Sequence, residues 1–223
     1  MSAKPRYRLI VFDWDGTLMD SIATIVACAT EAARDVGAHD EGTPARSRQA
    51  IGLGLDDTAR HILPGASDEV RAAWVERYRH HWFAGYRDRP ICFDGVGELL
   101  EALQAEGYWL AVATGKSRKG LDRDLEVTGH GKFFLATRTV NEALSKPHPQ
   151  MLLDILDELG IDKSEALMVG DTTYDLDMAK NAGVAAVAVL TGSHDRDTLL
   201  ASRPVACLAA ATELPAWLAS QTS

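Results

Sequence analysis

The stretch Leu9-Ile10-Val11-Phe12-Asp13-Trp14-Asp15-Gly16-Thr17-Leu18 decides the reading of this chain. Its first four residues are apolar without alternation, the pattern of a strand buried on both faces. Two carboxylates and a glycine follow at once. Residues i and i+2 of an extended segment lie about 6.6 Å apart on the same side, and open α/β sheets bind ligands at the carboxyl ends of their strands. Asp13 and Asp15 therefore leave the first strand where a ligand is expected. An Asp-Gly pair alone is common turn punctuation, so the reading depends on what the rest of the chain adds.

Working outward, further apolar runs recur at Leu110 to Ala113, Ala166 to Val169 and Ala185 to Leu190, with Phe133 to Ala136 weaker. Stretches of helical period lie between them, such as Val96 to Ala105 and Met151 to Leu159. Strands alternating with helices predict an α/β fold, a Rossmann-like core with a parallel sheet flanked by helices. The interval from Ser21 to Arg89 breaks the alternation. It reads as three amphipathic segments, Ile22 to Val36, Ala45 to Leu63 and Asp68 to Tyr86, with no convincing strand. The expected organisation is a core of residues 1–20 and 89–223 and an inserted all-helical lobe of residues 21–88. After Leu190, short helical patterns at Asp195 to Ala201 and Glu213 to Ala219 flank Val205 to Leu208 and complete the core edge, with no function read from them.

Three more strand ends carry chemistry. Val169-Gly170-Asp171-Thr172-Thr173-Tyr174-Asp175 is a second acidic cluster after a buried run, and carboxylates converging from two strands suit a hard divalent cation. Thr114-Gly115 ends another strand with a hydroxyl and a backbone that a ligand can approach closely. Ser145-Lys146-Pro147-His148-Pro149 presents a lysine just before a helix.

Composition bounds the alternatives. The chain has 223 residues, 46% apolar and 25% charged, and a formal charge of −9, so it is of globular composition and its average surface repels polyanions. Nucleic acid and anionic membranes are not expected partners. A small phosphate can still bind where a few cations, amides or a metal converge. The three cysteines Cys28, Cys92 and Cys207 form no CxxC pattern and are expected to be reduced. No signal-peptide or membrane-spanning run is found, and the cytoplasm is the expected location. Gly115-Lys116-Ser117 does not make a phosphate-binding P-loop, because Leu110 stands where that motif needs a glycine.

Asp13-Trp14-Asp15-Gly16-Thr17, Thr114, Lys146 and Gly170-Asp171 with Asp175 together resemble the four ordered motifs of the haloacid dehalogenase-like hydrolase superfamily. The resemblance covers about Tyr7 to Leu190. Asp94-Gly95-Val96-Gly97-Glu98-Leu99-Leu100 and Ser145-Lys146-Pro147-His148-Pro149 bring it closer to the phosphoglycolate phosphatase branch. The resemblance implies a phosphatase. Asp13 would be the nucleophile that forms an aspartyl-phosphate, and Asp15 the acid and then base. The Asp13 carboxylate, the Asp15 backbone carbonyl and Asp171 would bind Mg2+, Thr114, Gly115 and Lys146 would bind phosphate, and Asp175 would orient the metal or the lysine.

The lobe would act as a cap, with Ile51-Gly52-Leu53-Gly54-Leu55 as its specificity turn and Arg46, Arg48, His80 and His81 as candidate substrate contacts. The expected partner is a small phosphorylated metabolite, phosphoglycolate favoured, with sugar phosphates, nucleotides or pyrophosphate as alternatives and a monomer or homodimer as the assembly. Asp15 argues against a dehalogenase, which needs no proton for its leaving group. The lack of lysine between Ser21 and Asp88 argues against phosphonoacetaldehyde hydrolysis and, with no histidine in the first lobe helix, departs from the β-phosphoglucomutase pattern. The alternatives from another class are a non-catalytic phosphate-ligand sensor and a receiver-like signalling module. Receivers are about half this length and lack an inserted lobe.

Overall fold

The computed structural model describes residues 6–85 and 91–221. The expected end of the third lobe helix at Tyr86 and the lobe boundary between 88 and 89 lie outside the described residues. Six strands, β1 (Leu9–Phe12), β2 (Trp109–Thr114), β3 (Phe134–Thr139), β4 (Ala166–Gly170), β5 (Ala185–Val189) and β6 (Ala206–Leu208), form one parallel sheet in the order β3-β2-β1-β4-β5-β6. The chain winds outward from β1 to β3 and then returns to place β4 beside β1. The direction of winding thus reverses between β1 and β4, where helices on opposite faces part and leave a crevice at the strand ends.

The period of two sorts each strand's residues between two cores. Ile10, Phe12, Leu110, Val112, Leu167, Val169, Val187 and Val189 face one side, packed with Val96, Leu99, Leu100 and Leu103 of α5 (Val96–Ala105) and Leu214 and Leu218 of α10 (Leu214–Ser220). Leu9, Val11, Ala111, Ala113, Met168, Ala186 and Ala188 face the other, against Met151, Leu152, Ile155 and Leu156 of α7 (Gln150–Leu159) and Leu176 and Ala179 of α8 (Thr173–Ala182). Burial on both sides is the reason these strands read as continuous apolar runs. Strand β3 read weakly because it is an edge, with Leu135 54% exposed. The short strand β6, between α9 (Arg196–Ala201) and α10, forms the opposite edge.

Four helices, α1 (Ile22–Asp35), α2 (Thr43–Gln49), α3 (Leu55–Ile62) and α4 (Asp68–Gly85), follow β1. The segment expected as one helix from Ala45 to Leu63 is two, because Gly52 takes a positive φ of 100° and the chain turns through Ile51 to Gly54. These helices build a core of their own from Ala29, Ala32, Ala33, Ala50, Ala59, Ile62, Leu63, Trp74 and Val75. The chain leaves and re-enters the sheet region side by side, with Asp20 N donating to Ile91 O at 2.9 Å and Phe93 N to Leu18 O at 3.0 Å. Among the described residues no helix is long and apolar enough to cross a membrane.

Trp74 is fully buried at the centre of the helical lobe, donates from Nε1 to Ala29 O at 3.1 Å and stacks on Tyr78. Trp74→Ala is expected to destabilise the lobe by about 3–5 kcal/mol. Amide exchange should rise in α1 and α4 and change little in the central strands.

Candidate active site

Asp13 and Asp171 reach the crevice because their strands end there. Asp13 follows β1, with its amide donating to Val169 O of β4 at 2.9 Å, and Asp171 follows β4 itself. Both side chains are buried, as are Thr114, Lys146 and Asp175. Lys146 Nζ lies 2.5 Å from Asp13 Oδ1 and 2.6 Å from Asp175 Oδ1. Asp175 is held in turn by a capping box at the start of α8: the Thr172 amide donates to its Oδ2 at 3.1 Å, and its own amide donates back to Thr172 Oγ1 at 3.3 Å. The acid therefore serves helix and lysine together.

Asp171 accepts from Thr17 Oγ1 at 3.0 Å and from the Ser193 amide at 2.9 Å. Asp13, Asp171 and Asp175 bring carboxylate oxygens within 4.8 Å of one another, and Asp13 Oδ2 is buried without a hydrogen-bond partner. Three carboxylates face one ammonium. Burial raises Asp13 well above the ordinary carboxylate range; Lys146 opposes the rise, and the charges of Asp175 and Asp171 add to it. Burial, then the charge of Asp175, pushes Asp171 up to about 7. Lys146 is held above the usual lysine value because its two carboxylates outweigh the burial that opposes its charge. A buried, oxygen-rich, under-neutralised cluster of three carboxylates fits a hard divalent cation.

Asp15 points elsewhere. Ser21 Oγ donates to its Oδ1 at 2.6 Å, and Lys116 Nζ lies 3.0 and 3.2 Å from its two oxygens. Lys116 also pairs with Asp124 Oδ2 at 3.1 Å, on α6 (Arg118–Thr128), and lies over the Trp82 ring at 4.7 Å. Trp14, between the two acids in sequence, turns into the core and donates from Nε1 to the same Asp124 oxygen at 3.0 Å. Burial raises Asp124, Lys116 opposes the rise and the charge of Asp15 adds to it.

Sequence reasoning gave no role to Lys116, Asp124 or Ser193, and quoted Thr17 within the first motif without assigning it a contact. Lys116 carried a signal of sorts, since it lies two residues past Thr114 at a strand end. Asp124 carried none, because a lone acid in a polar helix is ordinary surface until the helix is placed.

The lobe closes over this crevice. Its turn comes so near Gly115 that a Cβ there would lie 2.6 Å from Gly52 O and 2.7 Å from Leu53 O. Gly115 is therefore needed for close approach of a neighbouring chain segment. The Gly54 amide donates to Ser145 Oγ at 3.0 Å, and Arg48 Nη2 donates to Gly192 O at 2.8 Å. Under the lobe lies a cavity of about 330 Å³, reached by Asp13, Asp15, Thr114, Gly115 and Lys116.

None of Arg46, Arg48, His80 and His81 lines this cavity. Arg46 binds Asp40 and Ile62 O, Arg48 spans to the Gly192 segment, and His81 meets Asp35 at 2.7 Å. His80 is exposed and lies edge-on to His81. On amphipathic helices, residue type did not distinguish a ligand contact from a strut. The lobe helix that does face the cavity contributes Tyr78, Arg79, Trp82 and Phe83. Burial, then the nearby Asp15 charge, holds the Tyr78 hydroxyl well above its usual pKa.

Comparison with known proteins agrees with this geometry. A curated protein of Dickeya dadantii named "Probable phosphatase IndB" is 40% identical over 205 residues, covering 88% of this chain and 86% of that one. A phosphoglycolate phosphatase of Vibrio vulnificus is 31% identical over 205 residues, covering 88% and 90%. The crystal structure of a hydrolase from Pseudomonas syringae superposes with a TM-score of 0.86 at 23% identity, over 96% of this chain and 99% of that one, a likeness of fold. The family model of haloacid dehalogenase-like hydrolases matches residues 10–189, from within β1 to the end of β5. With sheet order, crevice chemistry and relatives in agreement, the chain belongs to the haloacid dehalogenase-like hydrolase family, among its phosphoric monoester hydrolases.

Proposed function

We propose that this phosphatase hydrolyses a small phosphate monoester through an aspartyl-phosphate on Asp13, with Mg2+ as cofactor. The observation that carries the reading is the state of Asp13: one carboxylate oxygen is held by Lys146 and the other is buried without a partner. An oxygen so disposed is free to attack a phosphorus. Splitting a very slow hydrolysis into two displacements makes each step easier.

In the first step Asp13 forms a bond to phosphorus, the bond to the leaving oxygen breaks, and that oxygen takes a proton from Asp15. In the second, water attacks the phosphorus and yields its proton to Asp15, and the Asp13 carboxylate is released. Ser21 and Lys116 aim the Asp15 carboxyl for both transfers. Lys146, the Thr114 hydroxyl and the Gly115 amide are suited to hold the phosphoryl oxygens. A divalent cation held by Asp13 and Asp171, with the Asp15 carbonyl, would relieve the repulsion between carboxylate and phosphate. Asp175 orients Lys146. The lobe of residues 21–88 acts as a cap that shuts water out.

Phosphoglycolate is the first substrate to test, on the strength of the motif resemblance and of the relative named for that activity. Sugar phosphates, nucleotides and pyrophosphate are its competitors. The acidic chain suits a small metabolite in the cytoplasm rather than nucleic acid or a membrane.

Asp13→Asn is expected to lower turnover of any accepted ester by a factor on the order of 1,000 or more while leaving the circular dichroism spectrum unchanged. Near-normal turnover in that variant would remove Asp13 as nucleophile. Chelator should stop phosphate release and added Mg2+ restore it; full activity in chelator would refute the metal assignment. Asp171 has its pKa lifted mainly by burial, so at pH 8 its charge is held at a cost to folding. Asp171→Asn is therefore expected to melt at least about 2 °C higher than the parent without metal. It should also lose the upward shift that Mg2+ gives the parent, both read from thermal unfolding curves.

A further inference from the structure

The lobe side of the 330 Å³ cavity has a chemistry that a two-carbon acid does not use. Its walls are Ile25 of α1, Leu53 and Leu55 of the turn and the start of α3, and Tyr78, Trp82 and Phe83 of α4. Three separate elements thus present hydrocarbon to one space. Pockets of about 300 Å³ and upward house ligands much larger than glycolate, so a two-carbon leaving group would leave most of this volume unfilled.

The cations that line that space are already engaged or solvent-exposed. Lys116 is taken by Asp15 and Asp124. Arg79 is exposed and pairs with Glu76, and Lys119, also exposed, lies over Phe83 at 5.4 Å. A carboxylate seated against these half-buried apolar side chains would lose water and meet no unengaged buried cation. An apolar group there gains from leaving water.

The wall is also pre-arranged. Trp74, Tyr78 and Trp82 recur every four residues along α4, and their rings follow one another at 5.4 and 6.2 Å with interplanar angles of 27° and 18°. Trp74 anchors the row by its bond to Ala29 O. Aromatic side chains held this way offer a fixed surface that need not be ordered when ligand binds.

We infer that the preferred substrates are phosphate monoesters whose leaving alcohol carries an apolar ring, seated between the Leu53 turn and the Tyr78 and Trp82 face of α4. This rests on the phosphatase reading above and names the substrate class for that site. Tyr78, Trp82 and Leu53 are then specificity residues. Asp13 and Lys146 do the same work for any ester.

The test compares 2-phenylethyl phosphate with ethyl phosphate, which differ in apolar bulk and hardly at all in the acidity of the leaving alcohol, and with phosphoglycolate, all with Mg2+. The ring ester is expected to exceed ethyl phosphate at least tenfold in kcat/KM and to exceed phosphoglycolate as well. That preference should fall at least fivefold in Trp82→Ala and in Leu53→Ala, which act from different elements, and survive in Trp82→Phe.

Equal or better turnover of phosphoglycolate or ethyl phosphate would overturn the inference and leave the phosphatase reading standing. Absence of turnover on every ester would overturn the phosphatase reading instead. Equilibrium binding of the same three esters to the parent protein then decides the inference, with tighter binding of the ring ester supporting it and equal or weaker binding refuting it.

Discussion

The arrangement on which the rest of this molecule depends is the buried contact of Lys146 with Asp13 and Asp175. An ammonium shut away from water is tolerable only beside opposite charge, and these two carboxylates lie at 2.5 and 2.6 Å. They come from the ends of β1 and α8's first turn, while the lysine comes from the loop after β3. Sheet order, the start of α8 and the approach to α7 must all be right for the three groups to meet. With Asp171 added, the cluster still carries more negative charge than the lysine matches. That surplus is an electrostatic strain on the fold and also the feature that suits the crevice to a divalent cation. Sites of this kind trade stability for function.

Asp15 belongs to a second, separate network, in which Lys116 ties it to Asp124 and reaches the Trp82 ring of the lobe. The two acids of the Asp13-Trp14-Asp15 stretch are thus given different surroundings by a single residue of spacing. Asp13 faces a buried lysine and an acidic cluster, whereas Asp15 faces a serine hydroxyl and a lysine at the edge of the cavity. Trp14 enforces the divergence by burying itself in the core and bonding Asp124, so the flanking backbone cannot rotate freely. The lobe is joined to this network through Trp82 and to the core through Gly54, Arg48 and the glycine contact at Gly115. The seating of the lobe and the surroundings of Asp15 thus share Lys116 and Trp82.

Much of this was legible in one dimension. The run Leu9 to Phe12 coincides with β1, and Val96 to Ala105 with α5, because burial on two faces and a helical stripe each write a clear periodic pattern. The ends of buried strands located Asp13, Thr114 and Asp171, since a polar residue after an apolar run must sit where the sheet stops. The break between α2 and α3 was not resolved by periodicity, because apolar residues continue through Ile51, Leu53 and Leu55 and only the backbone of Gly52 shows the turn. Arg46, Arg48, His80 and His81, expected as substrate contacts, do not line the cavity, for a related reason. Charge and ring nitrogen are as useful for strutting helices as for binding ligands, and a helix pattern does not say which neighbour stands opposite.

The sequence by itself determined the α/β alternation, the inserted helices and the strand ends that carry the acids, because these follow from local periodicity and from the abrupt change from apolar to acidic residues. Only the tertiary structure decided which charges are paired, that Asp13 keeps one oxygen unpartnered, that Lys116 and Asp124 serve Asp15, and that an apolar aromatic wall roofs the cavity. Those facts are distances between residues as much as 133 positions apart in the chain. Such distances are set by sheet order and by the seating of the lobe, neither of which leaves a periodic mark on the residues that come to depend on it.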